Sequence, residues 1–379
     1  MMKLIINICR FIVGVLFIFS GLIKANDPLG LSYKMQEFFE VWNIHWLDNF
    51  TLVFSILMIV FEIIAGIAIL LGWHMKLFSW LLVLLIIFFT FLTGYAFLSG
   101  KIRECGCFGN CIPLTAGESF AKDLVLLVLV FFLFFNRRKI KPILPDLYNS
   151  VIFILAVIFS FSIQWYVLQY LPVVDCLPYR PGTNIMAAMK VPPGSIPDST
   201  VISFVYEKDG RQIEFTADKF PADFGDSYKF VKRYDKLIRK GNAEPAIKDF
   251  SLTSISGNDT TQAILEQSGY KILVFAKEMP DTDPSWNKEF SIIYSLVKMK
   301  NIPLSFVTAN TDQVEAYMRS NNLGNEITIL KCDVTAIKTA ARANPTLFLL
   351  RDGTILNKWS AADFENAIRG ISSLRVQER

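Results

Sequence analysis

Apolar positions fall into two regimes along this chain. Up to about residue 171 they run nearly unbroken: about Leu4–Ile23, Leu52–Leu71, Leu77–Leu98, Phe120–Phe135 and Ser150–Leu171. A membrane-spanning helix needs about 20 apolar residues, and runs this long and continuous are helices rather than strands. The pattern predicts five spanning helices. The first run ends in polar residues without a small-residue cleavage site, so it is not read as a removable signal peptide. Between the first two runs, Ala25–Asn49 is amphipathic: Phe38 and Phe39 share one helical face, charges the other, and Trp42 and Trp46 follow. That is either a helix lying in the interface with tryptophans at headgroup depth, or a re-entrant helix packed on the bundle.

From residue 172 the polar content is that of a soluble domain. Thr200–Glu207 and Arg211–Thr216 flank Asp209-Gly210, a hairpin signal, and Tyr228–Arg239 reads as an amphipathic helix stopped by Gly241. From Ile247 strands and helices alternate. Strands are expected at Lys271–Ala276, Ile302–Thr308, Glu326–Lys331, Thr346–Leu350 and Thr354–Lys358. Helices are expected at Trp286–Met299, Asp312–Arg319, Val334–Arg342 and from Ala362. This alternation, closed by a hairpin over Asp352-Gly353, indicates an α/β layer fold. The expected architecture is an α-helical transmembrane bundle followed by a soluble α/β domain, divided as 1–136, 137–171 (a basic loop and the fifth helix), 172–244 (a linker with hairpin and helix) and 245–379.

Composition sharpens this. Of 379 residues 53% are hydrophobic, 19% are charged and 33 are Phe, and the mean hydropathy is +0.40; this is a membrane-class balance. The net charge of +4 forms no basic stripe, so nucleic acid is not an expected partner; the lipid bilayer is. With only His45 and His74 available, a histidine metal site or triad is not expected. Lys3, Arg10, Lys76, Arg137, Arg138, Lys139 and Lys141 fall on one side of the predicted bundle, against Lys24, Lys34, Lys101 and Arg103 in short loops on the other. The bias puts the N-terminus in the cytoplasm and everything beyond Leu171 outside it.

On that outer side lies Cys105-Gly106-Cys107-Phe108-Gly109-Asn110-Cys111, holding three of the six cysteines. The compartment is oxidising, where disulfides persist. Gly106 and Gly109 allow the positive φ of a tight loop. A fourth cysteine, Cys176, follows the fifth helix near the same face and is a candidate to receive a disulfide from the loop. Cys332 either pairs with Cys176 or is a buried core thiol. Zinc knuckles space paired cysteines by two or more residues, so no metal is expected. Ionisable residues also interrupt the apolar runs. Glu62 lies mid-span, where a carboxylate costs roughly 2.5–3.5 kcal/mol. It is read either as handling protons or touching a quinone, or as paired with Arg10 or Lys24. Lys24 and Asp123 are expected to snorkel to the interface.

Ser20-Gly21-Leu22-Ile23-Lys24 with Asp27-Pro28, Glu62 with Gly66 and Leu70-Leu71-Gly72, the Cys-Gly-Cys-Phe-Gly run, and Ser119-Phe120 with Lys122-Asp123 resemble the DoxX and MauE-type membrane family over about residues 1–136. The resemblance implies a four-helix transmembrane bundle, extended here by a fifth helix. Through family members it implies quinone-coupled sulfur oxidation or disulfide formation in a periplasmic enzyme. Asp249-Phe250-Ser251-Leu252 and Pro345 are similar to thioredoxin-like domains of the membrane-anchored, cytochrome-maturation type, and the likeness implies a cis-proline at Pro345. Where that family carries Cys-x-x-Cys, this chain reads Lys277-Glu278-Met279-Pro280-Asp281-Thr282-Asp283-Pro284-Ser285-Trp286. No thiol is present there, and Asp281 and Asp283 would oppose a thiolate.

Two functions follow as expectations. In one, Cys105, Cys107, Cys111 and Cys176 exchange disulfides with extracytoplasmic protein thiols or disulfides, and electrons pass to a quinone near Glu62. In the other, the chain is a non-enzymatic assembly or docking factor with a redox-inactive thioredoxin-like platform.

Overall fold

The computed structural model describes all residues except 103–105, 107, 197–198, 217–218, 222, 240, 242, 280–283, 325 and 376–379; for 200 and 236–239 only the backbone is described. The N-terminal region folds as α1 (Met2–Ala25), α2 (Pro28–Val41), α3 (Thr51–Leu71), α4 (Met75–Ser99), α5 (Ala116–Asn136) and α6 (Asp146–Tyr170). Each predicted apolar run lies on one long helix. Four helical segments, Met2–Ala25, His45–Leu71, Met75–Ser99 and Asp146–Tyr170, are apolar and long enough to cross a membrane. The fifth, α5, carries Glu118, Lys122 and Asp123 in its first two turns and lies against α4. The chain is a multi-pass membrane protein.

α1 and α3 pack closely because small residues face each other. A Cβ on Gly14 would fall 2.4 Å from Leu70 Cγ, and one on Gly66 would fall 2.8 Å from the Gly14 carbonyl oxygen. Without a hydrophobic driving force inside lipid, such close backbone approach is what holds helices together. α2 is not a free interfacial helix. Asp27 caps it by accepting from the Gly30 N–H at 3.0 Å, and it buries Leu31, Ser32 and Phe38 against the bundle. Ser32 Oγ donates to Thr51 Oγ1 at 3.0 Å.

The C-terminal part begins with the short α7 (Ile185–Ala188) and a three-stranded sheet of β1 (Ser199–Lys208), β2 (Arg211–Thr216) and β3 (Lys229–Arg239), in the order β2-β1-β3. The hairpin over Asp209-Gly210 forms as expected. The expected helix over 228–239 does not: this segment is β3, antiparallel to β1. Its Phe230, Val231 and Tyr234 suit a pleated surface as well as a helix, and pairing with β1 decides. Phe230 stacks edge-on against Tyr206 at 5.6 Å.

The second sheet contains β4 (Thr253–Ser254), β5 (Tyr270–Ala276), β6 (Leu304–Thr308), β7 (Thr328–Lys331), β8 (Thr346–Arg351) and β9 (Thr354–Ser360), in the order β4-β7-β6-β5-β8-β9. β5, β6 and β7 are parallel, while β8 and β9 run antiparallel. The helices α8 (Thr261–Leu265), α9 (Asn287–Met299), α10 (Thr311–Ser320), α11 (Val334–Ala340) and α12 (Phe364–Ser372) complete the layers. Side chains alternate across β5. Ile272 and Val274 enter a core with Phe290, Val314 and Phe364; Leu273 and Phe275 enter the opposite one with Phe250, Ile337 and Phe348. With both faces covered, β5 reads as a continuous apolar run. Tyr179 and Ile185, from the segment expected to be linker, belong to the second core. Residues 182–183 also pair with β9 through Gly182 N–H to Ile355 O (2.7 Å) and Ile355 N–H to Thr183 O (2.9 Å). The Asn344–Pro345 peptide is cis and opens β8. Parallel βαβ units, an antiparallel hairpin and a cis-proline at its start make this a thioredoxin-like domain.

A candidate thiol–disulfide site between bundle and outer domain

The C-terminal ends of α1, α4 and α6 and the N-terminal end of α5 converge, and the α/β domain sits on them. The loop between α4 and α5 turns through Gly106 and Gly109, with φ of 68° and 55°, closed by Gly109 N–H to Gly106 O at 3.0 Å. Phe108 points into the bundle, its ring 5.9 Å from that of Phe19, with the Lys122 ammonium 5.1 Å over it. Asn110 donates to Asp27 Oδ2 at 3.1 Å. Cys111 is joined by a disulfide to Cys176, with Cα atoms 4.9 Å apart and a sequence separation of 65. Cys105 and Cys107, with Arg103 and Glu104, lie outside the described residues, as do Asp281 and Asp283.

The bond to Cys111 leaves no pairing of Cys332 with Cys176. Cys332 is a buried free thiol at the end of β7, in the core with Phe250 and Ile337. Burial pushes it up to about 12, against the lowering effect of the Ser251 and Asp333 backbone N–H groups. At neutral pH it is not a nucleophile.

Around the disulfide the two regions are cross-linked by polar contacts. The Asn26 side chain donates to Val174 O at 2.8 Å and accepts from Val174 N–H at 3.0 Å. Asp175 holds Lys358 Nζ of β9 at 2.5 Å. Arg342 meets Asp27 through two parallel bonds, Nε to Oδ1 at 2.8 Å and Nη2 to Oδ2 at 3.0 Å, the bidentate geometry that suits guanidinium to carboxylate. Tyr33 of α2 lies within reach of three cations: Lys338 Nζ at 5.2 Å, the Arg342 guanidinium at 5.4 Å and Lys277 Nζ at 6.0 Å from the ring centre. Lys277 Nζ also donates to the Tyr33 hydroxyl at 3.3 Å.

Lys277 directly follows β5, where a thioredoxin would begin its Cys-x-x-Cys. Its N–H donates to Asn344 Oδ1 (2.8 Å), and Asn344 Nδ2 donates to Glu278 O (2.7 Å), tying this end of β5 to the cis-proline turn. That edge of the domain therefore faces the chain's own α2. Burial, with the Arg342 and Lys338 charges, lowers the Lys277 amine from 10.5 to about 8. Between those two values the folded chain binds fewer protons than the unfolded chain, so this group's penalty is present below pH 8 and disappears as pH rises towards 10.5. Lys277→Met is expected to raise the thermal midpoint at pH 7 and to flatten its rise between pH 8 and 10. Parallel pH profiles for the two proteins would expose this assignment as wrong.

Inside the bundle, Glu62 pairs with Lys24, Oε1 to Nζ at 2.5 Å, and accepts from Ser20 Oγ at 3.2 Å. The Lys24 ammonium sits 4.7 Å over the Phe89 ring. Arg10 is not the partner; it lies at the far end, where a Cβ on Gly72 would come within 3.2 Å of its Nη1. Lys24 and Asp123 do not snorkel: both are buried. Asp123 takes Lys122 Nζ at 2.7 Å and Thr93 Oγ1 at 3.0 Å. Close α1–α3 packing brings Lys24 to Glu62, and a buried ion with a hydrogen-bonded partner has no need to reach water. Tyr33, Lys277, Lys338 and Arg342 carry no sequence signal of a site. Asp27 and Arg342 are 315 residues apart, and no local pattern links them.

Residues 2–136 match the family described as methylamine utilisation protein MauE. Residues 200–240 match a domain of unknown function, DUF8463, which coincides with the three-stranded sheet. Over 133 residues the chain is 28% identical to Protein TlpB of Flavobacterium psychrophilum, an alignment covering 34% of this chain and 36% of that protein. The chain thus matches only about a third of that relative's length. Among solved structures, a thioredoxin-like protein from Bacteroides caccae aligns at 12% identity and a TM-score of 0.25, covering 88% of this chain and 83% of that one. BsSco, described as a member of the Sco family of cytochrome c oxidase assembly proteins, aligns at 12% identity and 0.27, covering 34% and 91%. The chain is a MauE-like membrane region joined to a thioredoxin-like domain.

Proposed function

We propose that this protein is a thiol–disulfide oxidoreductase of the bacterial inner membrane. On this reading the cysteine loop and the thioredoxin-like domain lie on the extracytoplasmic side, and electrons leave through a membrane quinone. The observation that carries the reading is the Cys111–Cys176 disulfide, which joins a cysteine-rich loop of the bundle to the entry of a thioredoxin-like domain that has no redox pair of its own. A client dithiol reduces a Cys105–Cys107 disulfide through a mixed disulfide, and the client leaves oxidised. The loop dithiol then gives two electrons and two protons to the quinone, forming quinol and restoring the disulfide. A thiolate at Cys105 or Cys107 attacking Cys111 Sγ releases Cys176 as a thiolate, so the bond between the regions is open to exchange. The Lys24–Glu62 pair stands in the bundle as the proton-handling group.

A second reading is favoured by one observation: the cis-proline edge, where a thioredoxin would engage its client, faces α2. The domain would then be a docking platform and the loop cysteines a structural staple. Thiol trapping on the full-length protein in proteoliposomes separates the two. Wild type is compared with Cys105→Ser, Cys107→Ser, Cys111→Ser and Cys176→Ser after addition of a reduced dithiol peptide or of decylubiquinone. The oxidoreductase reading expects a mixed disulfide trapped in a single loop variant, with Cys332 unlabelled until denaturation. Loop thiols that respond to neither reagent would leave the platform reading standing.

A further inference from the structure

Three cations of the outer domain surround the Tyr33 ring, and they are not neutralised alike. Arg342 is fully engaged. Nε and Nη2 bind Asp27, and Nη1 donates to the Lys338 carbonyl oxygen. Asp27 is engaged too, since its oxygens also accept from the Gly30 N–H and from Asn110. Lys358, nearby on β9, is matched by Asp175. Lys277 and Lys338 differ: among the described residues neither ammonium lies within ion-pair distance of a carboxylate. Lys277 Nζ has the Tyr33 hydroxyl at 3.3 Å, and Lys338 Nζ has the Tyr33 ring at 5.2 Å. A hydroxyl or a ring face attracts an ammonium without cancelling its charge. Both lysines are half-buried, and a charge taken from water without a counterion is costly. That cost is visible at Lys277, which burial and the Arg342 and Lys338 charges lower to about 8.

We propose that Lys277, Lys338 and the Tyr33 hydroxyl form a binding site for a phosphate oxyanion in the seam between α2 and the thioredoxin-like domain. The site stands independently of the oxidoreductase reading. Its place in the fold suits the ligand. The apolar helix α1 ends at Ala25 and α2 begins at Pro28, so Tyr33 stands where the chain leaves the bilayer, at the depth of lipid headgroups. A phosphate oxyanion accepts from both ammonium groups, since lysine serves phosphate as a point charge. Tyr33 Oη accepts from Lys277 Nζ, which leaves its own proton to donate to a third phosphate oxygen. The bound anion touches α2 on one side and the outer domain on the other, so it fastens the domain to the bundle beside the Arg342–Asp27 pair. It also holds the cis-proline edge in place, because the Lys277 N–H donates to Asn344, the residue before Pro345. An anionic phospholipid headgroup and free phosphate share this chemistry.

The test is native mass spectrometry of the full-length protein in neutral detergent, titrated separately with phosphatidylglycerol, phosphatidylcholine and inorganic phosphate, alongside hydrogen exchange under the same additions. Wild type is expected to retain phosphatidylglycerol in preference to phosphatidylcholine, with slower exchange at 338–342 and around Tyr33. Lys277→Gln together with Lys338→Gln should weaken the retained anion by about thirtyfold, the expectation for two ammonium groups removed at a lipid surface. Neither change touches the Arg342–Asp27 pair, so the domain keeps its place. Lys288→Gln with Lys331→Gln removes the same charge at two exposed positions of the same domain, and this control should bind as wild type does. Slowing by phosphatidylglycerol alone identifies a lipid headgroup, and slowing by inorganic phosphate as well identifies a soluble anion; either supports the site. Binding of neither, or a Lys277/Lys338 variant that retains the anion as wild type does, would overturn the site and leave the oxidoreductase reading untouched.

Discussion

Arg342→Met is expected to release the thioredoxin-like domain from α2 while the Cys111–Cys176 disulfide still tethers it. Arg342 and Asp27 are 5% and 10% exposed, so the carboxylate loses its partner in a place that water barely reaches. Removing one member of a buried pair costs about 3–5 kcal/mol, because the remaining charge stays desolvated. Asp27 keeps its bonds to the Gly30 N–H and to Asn110, so the cap of α2 survives and the damage concentrates at the contact between the regions. Hydrogen exchange should accelerate at 338–346 and around Tyr33, with little change in the strands β5 and β6. Asp27→Asn together with Arg342→Met should recover part of the loss. Unchanged exchange at both segments in the single variant would mean that the pair does not hold the domain.

Lys24→Met is the second large effect. Among the described residues it leaves Glu62 inside the bundle with the Ser20 hydroxyl as its hydrogen-bond donor, and the loss is again about 3–5 kcal/mol. The thermal midpoint in detergent should fall clearly. Replacing both residues, Lys24→Met with Glu62→Leu, should recover most of it, since a buried pair contributes little net stability over an apolar substitute. Glu62→Gln should lie between. Equal midpoints for the single and double variants would exclude an energetic coupling between the two side chains.

The two effects differ in what they test. Arg342 acts between regions distant in sequence, and its loss should leave the bundle intact. Lys24 acts within the bundle, and its loss should leave the contact between the regions in place.

Periodicity alone determined much of this protein. Long apolar runs became the helices α1, α3, α4, α5 and α6, and alternating strand and helix patterns became β5 to α12, because element type follows from the spacing of apolar residues within a few turns. The missing Cys-x-x-Cys was equally plain, since an absent residue type needs no structure. Where local preference was balanced, it failed: residues 229–239 suit a helix by spacing, and only the neighbour β1 makes them a strand. Lys24 and Asp123 looked like interfacial residues until their partners Glu62 and Thr93 were brought beside them. Of the cysteines, the run at 105–111 and Cys176 stood out as redox candidates, but two partners for Cys176 were open. Only packing chose Cys111 and buried Cys332 instead. The contact of Arg342 and Lys277 with Asp27 and Tyr33 had no sequence trace at all. Local chemistry specifies elements, whereas contacts across hundreds of residues depend on how both regions pack, and Cys111 reaches Cys176 at the entry of the thioredoxin-like domain through packing of the second kind.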